Sequence, residues 1–335
     1  MKAYVVQKGA QSLEGLRAVQ LPEPRAGAGQ ILVRMRAASL NFRDQLVVTG
    51  HYFGGPVARD TIPLSDGAGE VLEAGPGVSR FRKGDRVTGT FFQGWIDGPP
   101  PGPLVALGSP ADGVFAQYVV MDQHDAVAIP ASLSYEEAAT LTCAGVTAWN
   151  GLVRTGGVKP GQSVLVMGTG GVSMFALQIA RAAGASVIMT SSSDAKLERG
   201  RQLGAEAGIN YTRTPDWEQE VLRVTGGRGV DHVVEVGGPG TLARSMRAVA
   251  YGGHIALIGV LAGFQGDTSP GPIMVKGASV HGIFVGNRAM LEELCRAIDG
   301  NRIKPVIDKV FDFEAAAEAF RHQQHGAVGK VVIRI

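Results

Sequence analysis

Over the first ~120 residues, apolar and polar positions alternate in short β-branched runs broken by Gly, Pro and Asp: AYVV, QILVRMRAAS, GEVLEAG, DRVTGT and AQYVVM. A period of two predicts half-buried strands, and so an antiparallel, β-rich region with little helix. Residues 91–113, FFQGWIDGPPPGPLVALGSPADG, interrupt it as a long Pro/Gly loop, a length usually reserved for functional or mobile segments. Near Ser134 the rhythm changes. Ser134-Tyr-Glu-Glu137 is a capping box that opens a helix. VLVM at 164–167 is a continuously apolar strand, GVSMFALQIARAAG a helix closed by Gly184, and SVIMT a second strand. The spacing then predicts a helix over 194–203 ending at Gly204, strand GIN, and a helix from Thr214-Pro215 to Gly226-Gly227. Strands VDHVVEV, HIALIG and ASVHGIF follow. Strands alternating with helices imply right-handed crossovers and a parallel sheet covered on both faces. Helices around 289–299 and 314–321 and a last strand, KVVIRI, return to the first domain.

Length agrees with two domains, because 335 residues exceed one compact core. Net charge is only +2 with both signs interspersed, which gives no reason to expect a nucleic-acid groove or an anionic membrane as partner. A small-molecule substrate fits better. Two cysteines, Cys143 and Cys295, offer no disulfide framework. The start MKAYVVQKGAQ lacks a secretory pattern, and no apolar run approaches the ~20 residues of a membrane span, so a cytoplasmic protein is expected.

Strand, glycine turn and helix follow in order at Gly168-Thr-Gly170-Gly171-Val172-Ser173. This is the order a dinucleotide site needs: Gly168 for the tight turn, Gly170 for close approach to a pyrophosphate, and the first helical amides aimed at it. Ser173 stands where a third glycine is usual and is small enough to keep helix and strand close. An NAD site would place an acid about 20 residues on, to accept from the ribose hydroxyls. Here the second strand ends in Thr190-Ser191-Ser192-Ser193, with Lys196 beyond and Tyr211 after the next strand. Hydroxyls, amides and a cation suit a 2′-phosphate, so the expected cofactor is NADP; Asp194 is the opposing signal.

These motifs, with GDRV at 84–87, TAW at 147–149, VVEVGG at 233–238 and VGKVVIRI at 328–335, resemble the medium-chain dehydrogenase/reductase superfamily, and within it the zinc-free quinone oxidoreductases and enoyl reductases. The resemblance covers nearly the whole chain. It implies an α/β fold: a Rossmann doubly wound parallel sheet over 145–283, plus a GroES-like β-rich catalytic domain over 1–144 and 284–335. It also implies a cleft between the two and a homodimer through the Rossmann edge strands. It places Ser191, Lys196 and Tyr211 where NADPH-using relatives hold the 2′-phosphate, and Thr147 beside the nicotinamide. Further cofactor contacts are implied at Val236, at Ile258 to Val260, and at Phe284 and Val285.

Matched to zinc-bearing relatives, the catalytic ligand positions hold Asn41, Ser65 and Cys143, and the 91–113 loop has none of the structural cysteines. No metal is expected. His322 and His325 belong to a polar face. The segment LNFRDQLVVTGHY resembles that of enoyl reductases, which implies Asn41 as donor to a carbonyl and Tyr52 as proton donor. Arg43, with Asp66 or Asp44, is expected to form an ion pair filling the vacated metal space. Phe91, Trp95, Cys143 and Asn287 are expected to line the substrate site. The function expected is NADPH-dependent, zinc-independent hydride transfer to a quinone or an α,β-unsaturated carbonyl. The alternatives are an NAD(P)-dependent alcohol dehydrogenase or ketone reductase, and a nucleotide-binding protein without turnover.

Overall fold

The computed structural model describes residues 1–335 except Phe264, Asp267 and Thr268. It divides into two compact units, Met1–Val146 with Gly286–Ile335, and Thr147–Val285.

The first unit opens with β1 (Lys2–Val6) and β2 (Leu16–Gln20), paired antiparallel. The long β3 (Gln30–Leu40) alternates: Ile31, Val33 and Met35 are buried, and Arg34 faces out. Helix α1 (Phe42–Val48) follows, then β4 (Asp66–Ala74), β5 (Arg86–Gly89), β6 (Phe92–Gln93), β7 (Val105–Ala106), β8 (Tyr118–Asp122) and β9 (Ala126–Ala128). Helix α1 departs from the expected helix-poor region, because its buried Arg43, Asp44 and Gln45 disguise it as a polar run. The 91–113 segment is likewise not wholly unstructured, since β6 and β7 pair as a short ribbon within it. The Ser134 box opens α2 (Tyr135–Ala138); a π-helical turn (Leu141–Gly145), α3 (Val146–Trp149) and a second π turn (Asn150–Arg154) continue from it.

In the second unit come β10 (Ser163–Met167), α4 (Gly171–Ala182), β11 (Ser186–Ser191), α5 (Asp194–Gln202), β12 (Ala207–Asn210), α6 (Trp217–Val224), β13 (Val230–Glu235), α7 (Pro239–Ala248), β14 (Val249–Leu257), α8 (Gly271–Lys276) and β15 (Ser279–Gly282). Helix α6 starts two residues past Pro215, behind Asp216. The strands run in the order β12-β11-β10-β13-β14-β15, every pair parallel. That is the doubly wound Rossmann order, which reverses between β10 and β13, so loops at the carboxyl ends of these two strands border the crevice where such sheets take ligands. Its core gathers Leu165, Ile188, Trp217, Val221, Val233 and Ile255.

The chain returns to the first unit with α9 (Arg288–Asn301), β16 (Ile307–Asp312), α10 (Ala316–Gln324) and β17 (Lys330–Arg334). Strands β16-β17-β3-β4-β5-β9, with β8 on β3, complete the GroES-like sheet, and Val33, Met35, Phe115, Phe320 and Ile333 fill its core. No helix among the described residues is long and apolar enough to cross a membrane.

Candidate active site

In the GroES-like unit, three strands converge on one polar cluster. Antiparallel pairing sets Val331 of β17 opposite Leu40 of β3, which brings Lys330, the first residue of β17, beside Asn41. Asp66, the first residue of β4, lies opposite Ser39 on the other side of β3. The Lys330 ammonium donates to Asn41 Oδ1 at 2.5 Å and lies 3.4 Å from Asp66 Oδ2. Lys330 is 3% exposed and Asp66 fully buried, so each charge depends on the other for the solvation it has lost. Asp66 also accepts from the Ser65 hydroxyl at 2.7 Å and from the Cys143 backbone N–H, in the π turn, at 3.1 Å. Asn41 Nδ2 meets Ser65 Oγ only at 3.5 Å. Ser65 follows Leu64, a fully buried residue held at φ +69°, left-handed backbone that costs a bulky side chain on the order of 1–3 kcal/mol.

Next to this cluster the Asp44 carboxylate accepts the Asn41 backbone N–H at 2.7 Å, and burial pushes its pKa up to about 6 against the opposing pull of Arg43. Burial likewise pushes the Cys143 thiol far up, helped by the Asp66 charge, so the sulfur stays protonated and apolar. Arg43 forms the expected ion pair with Asp44, but the space between Asn41 and Asp66 is filled by Lys330 instead. The Arg43 guanidinium donates to the Leu107 and Ser109 carbonyls at 2.8 and 3.0 Å, and lies 3.7 Å from Asp44. It sits over the rings of Tyr52 and Phe91, 4.5 and 5.0 Å from their centroids. The cation between Asn41 and Asp66 is Lys330, a contact spanning 289 residues that no local pattern announces.

Tyr52 is half-buried above Arg43. Phe91 is buried beneath it and packs edge-on against Phe92. Trp95 is buried too, with its indole N–H donated to the Gly98 carbonyl. Asn287 caps α9: Oδ1 accepts from Met290 N–H at 2.9 Å and Nδ2 donates to Gly98 O at 3.3 Å, so its amide is spent on structure. His322 pairs with Asp308 at 2.5 Å, and among the described residues no group of three His, Cys, Asp or Glu could hold a metal.

In the Rossmann unit, Gly168 has φ +71°, a turn only glycine makes freely, and a Cβ added to Gly168 or Gly170 would meet nothing within 4 Å. Open space therefore faces the backbone where a pyrophosphate would approach, and the first amides of α4, at Gly171 and Val172, are the donors a helix leaves unpaired. Ser173 does more than stay small: its hydroxyl donates to the Met167 carbonyl at 2.6 Å and ties α4 to β10.

At the end of β11, Ser191 Oγ accepts the Ser193 N–H at 3.3 Å and Ser191 O accepts the Tyr211 N–H at 3.0 Å. Ser192 follows at the surface, and Lys196 lies on the first turns of α5. Asp194 stays beside the strand end, because its partner Asn210 lies opposite Ser191 in the β11–β12 pairing. Its Oδ1 accepts from Arg213 at 2.6 Å and from Asn210 Nδ2 at 3.0 Å. Arg213 is thus a second cation at this corner, signalled in the sequence only by its place two residues past Tyr211.

Glu235, fully buried at the end of β13, accepts from the Gly237 and Gly238 amides at 2.7 and 3.1 Å, from Thr241 Oγ1 at 2.7 Å and from the Ser245 hydroxyl. It shapes the turn carrying Val236, against which Gly259, between Ile258 and Val260, packs so closely that a Cβ would come 2.5 Å from Val236 O. Thr147 is buried on α3. Phe284 is half exposed, and Val285 is held at φ +54° with its carbonyl accepting from Asn150 Nδ2 at 2.8 Å.

Family models for the alcohol dehydrogenase GroES-like domain and for zinc-binding dehydrogenase match residues 27–131 and 171–300. A zinc-type alcohol dehydrogenase-like protein of Schizosaccharomyces pombe is 44% identical over 99% of each chain. The chain belongs to the medium-chain dehydrogenase/reductase superfamily. A crystal structure named as an alcohol dehydrogenase of Sinorhizobium meliloti superposes with a TM-score of 0.93 at 44% identity over 100% of both chains. Human quinone oxidoreductase is 27% identical over 91% of this chain and 88% of its own. The protein is therefore an oxidoreductase of a superfamily that binds nicotinamide cofactors.

Zinc, which the matched family model's name implies, does not fit the donors present. A catalytic zinc takes three protein ligands of thiolate, imidazole or carboxylate type. This medium-chain dehydrogenase/reductase offers an amide, a hydroxyl already donated to Asp66, and a single thiol. Of the two carboxylates beside them, Asp66 is paired with a lysine ammonium, and Asp44 accepts the Asn41 backbone N–H with Arg43 at 3.7 Å.

Proposed function

We propose that this protein is an NADPH-dependent, zinc-independent oxidoreductase that transfers hydride to a quinone or an α,β-unsaturated carbonyl. The observation that carries the proposal is the ammonium of Lys330 lodged between Asn41 and Asp66, among side chains that make poor zinc ligands.

Reduced nicotinamide, when bound, supplies the hydride; the protein must stabilise the negative charge left on the acceptor oxygen. An unactivated ketone needs a Lewis acid for that, whereas an enone or quinone spreads the charge over a conjugated system and asks for less. Asn41 Nδ2 is the available donor, and Tyr52 the hydroxyl able to deliver a proton. On the nucleotide side, the Ser191 and Ser192 hydroxyls, Lys196 and Arg213 gather at the end of β11, where the carboxylate of Asp194 is paired with Arg213, and this supports NADP over NAD. A second copy would add at the exposed edge of β15 to form a homodimer.

The test is elemental analysis of active protein, activity with and without a chelator, and steady-state rates for an enone, a quinone and a secondary alcohol with each cofactor. Less than one-tenth equivalent of zinc, chelator-resistant turnover and NADPH-driven enone or quinone reduction are expected. Stoichiometric zinc with chelator-sensitive alcohol oxidation would replace the proposal with ordinary alcohol dehydrogenase chemistry, which several relatives' names favour. NADPH binding with no turnover on any acceptor would reduce the protein to a nucleotide binder.

A further inference from the structure

Resting on the role of Asn41 proposed above, we infer that Lys330 is the positioning residue of the reaction: its ammonium selects the orientation of the Asn41 amide that presents Nδ2 as the donor to the acceptor's carbonyl. A primary amide can be turned by a half rotation with little change of shape, which exchanges a donor for an acceptor. For a group meant to stabilise an oxyanion that choice decides function, because a carbonyl oxygen turned toward the acceptor would repel the charge being formed.

The surroundings of Asn41 remove the ambiguity. An ammonium has three donors and no acceptor, so at 2.5 Å it is compatible with Oδ1 and not with the NH2 group. On the other side, Ser65 commits its proton to Asp66 Oδ1 at 2.7 Å, which leaves Ser65 Oγ only an acceptor toward Asn41 Nδ2. That contact is 3.5 Å long and occupies at most one of the two N–H bonds. Both neighbours therefore specify the same orientation. Asp66 is held in turn by the Cys143 N–H at 3.1 Å, so the orientation is anchored on the backbone of the π turn.

The charge adds a second effect. A cation on the amide oxygen draws electron density from nitrogen and strengthens the N–H donors, a polarisation carried along hydrogen-bond chains in a low-dielectric interior. The same space could have been filled by an apolar side chain without the cost of burying an ammonium. Lys330 thus acts on the acceptor through Asn41.

The experiment uses the full chain with a cyclic enone and NADPH, comparing wild type, N41A, K330M, K330R and the N41A/K330M double variant. Helicity and the NADPH dissociation constant, read by fluorescence, serve as controls that a merely structural defect would move. K330M should lose about 10–100-fold in kcat, less than the roughly 100–1,000-fold of removing one oxyanion donor outright because the amide stays in place, with KM and NADPH affinity within about twofold. K330R, still a cation without an acceptor, should recover part of the loss. In the N41A background K330M should cost almost nothing more, because the two act as a unit.

Wild-type kcat in K330M, with N41A slow, would overturn the inference and leave Asn41's role standing. An equal further loss from K330M in the N41A background would overturn it too, since Lys330 would then act by another route. Wild-type kcat in N41A would sink Asn41's role and the inference together. Should K330M fail to fold, K330Q keeps a donor without the charge; it should lose several-fold in kcat, and a rate equal to wild type would count against the charge.

Discussion

Asp194 separates the two cofactor assignments, because its carboxylate would harm a 2′-phosphate and help a ribose diol. It lies on the first turn of α5, half exposed, paired with Arg213 at 2.6 Å. For a separation taken as about 7 Å and an effective dielectric of about 60, a 2′-phosphate of about −1.75 charge would meet roughly 1.4 kcal/mol of repulsion. Screening at physiological salt, with a Debye length of about 8 Å, leaves about 0.6 kcal/mol of it, as befits a solvent-facing charge. Asp194→Asn should therefore bind NADPH roughly threefold more tightly and leave NADH unchanged. Arg213→Ala should act with the opposite sign, loosening NADPH by roughly tenfold as a charge-assisted contact goes and Asp194 loses its counter-charge. Fluorescence titration of both nucleotides at 0.05 and 0.5 M salt, about the range over which the Debye length contracts several-fold, should show both effects fading as salt rises. A tenfold loss of NADH affinity in Asp194→Asn, with NADPH untouched, would mean that Asp194 accepts the ribose hydroxyls and would refute the NADP assignment.

Substitutions at four further positions probe the rest of the protein. Tyr52→Phe should lower kcat by about 100-fold with NADPH affinity intact, the scale of losing a general acid; unchanged turnover would remove Tyr52 as proton donor. The Asp44 carboxyl, pushed up to about 6 in the fold from 3.8, favours the folded state when protonated; that contribution is full below about pH 4 and lost as pH rises through 6. Asp44→Asn should accordingly gain stability relative to wild type, by up to about 3 kcal/mol, between pH 4.5 and 7 in paired urea titrations; a pH-independent difference would contradict this. Glu235→Ala strands two amides and two hydroxyls at the start of α7 and should cost about 3 kcal/mol or more, with Glu235→Gln milder; melting temperatures of the pair decide it. Arg43→Ala releases two carbonyls and leaves Asp44 without its nearby cation, so a loss of about 2–4 kcal/mol is expected, and unaltered folding and turnover would remove any role for Arg43.

Where function depends on contiguous backbone, the sequence is informative. The run from Val164 to Ser173 has only one good local structure, an apolar strand entering a turn that needs glycine at φ +71° and then a helix, and the strand order agrees with it. The serines at 191–193 and the absence of an acid at that strand end are equally local facts. Helix α1 and the ribbon inside 91–113 are hard to read locally, because α1 buries the polar Arg43, Asp44 and Gln45 and each ribbon strand is only two residues long within a Pro/Gly-rich stretch. Arg213 needed the pairing of β12 with β11 before its nearness to Ser191 had any meaning.

By itself the sequence determined the two-domain α/β plan and the glycine turn, since each follows from periodicity or backbone sterics along a single stretch, and the family resemblance added which residues stand at the positions matched to zinc ligands. Only the tertiary structure decided what neutralises that space. Arg43, two residues from Asn41, is turned away to the Leu107 and Ser109 carbonyls, while Lys330 arrives from the far end of the chain because β17 pairs with β3. Strand register, set by burial across the whole sheet, carries no signature in the few residues it brings together.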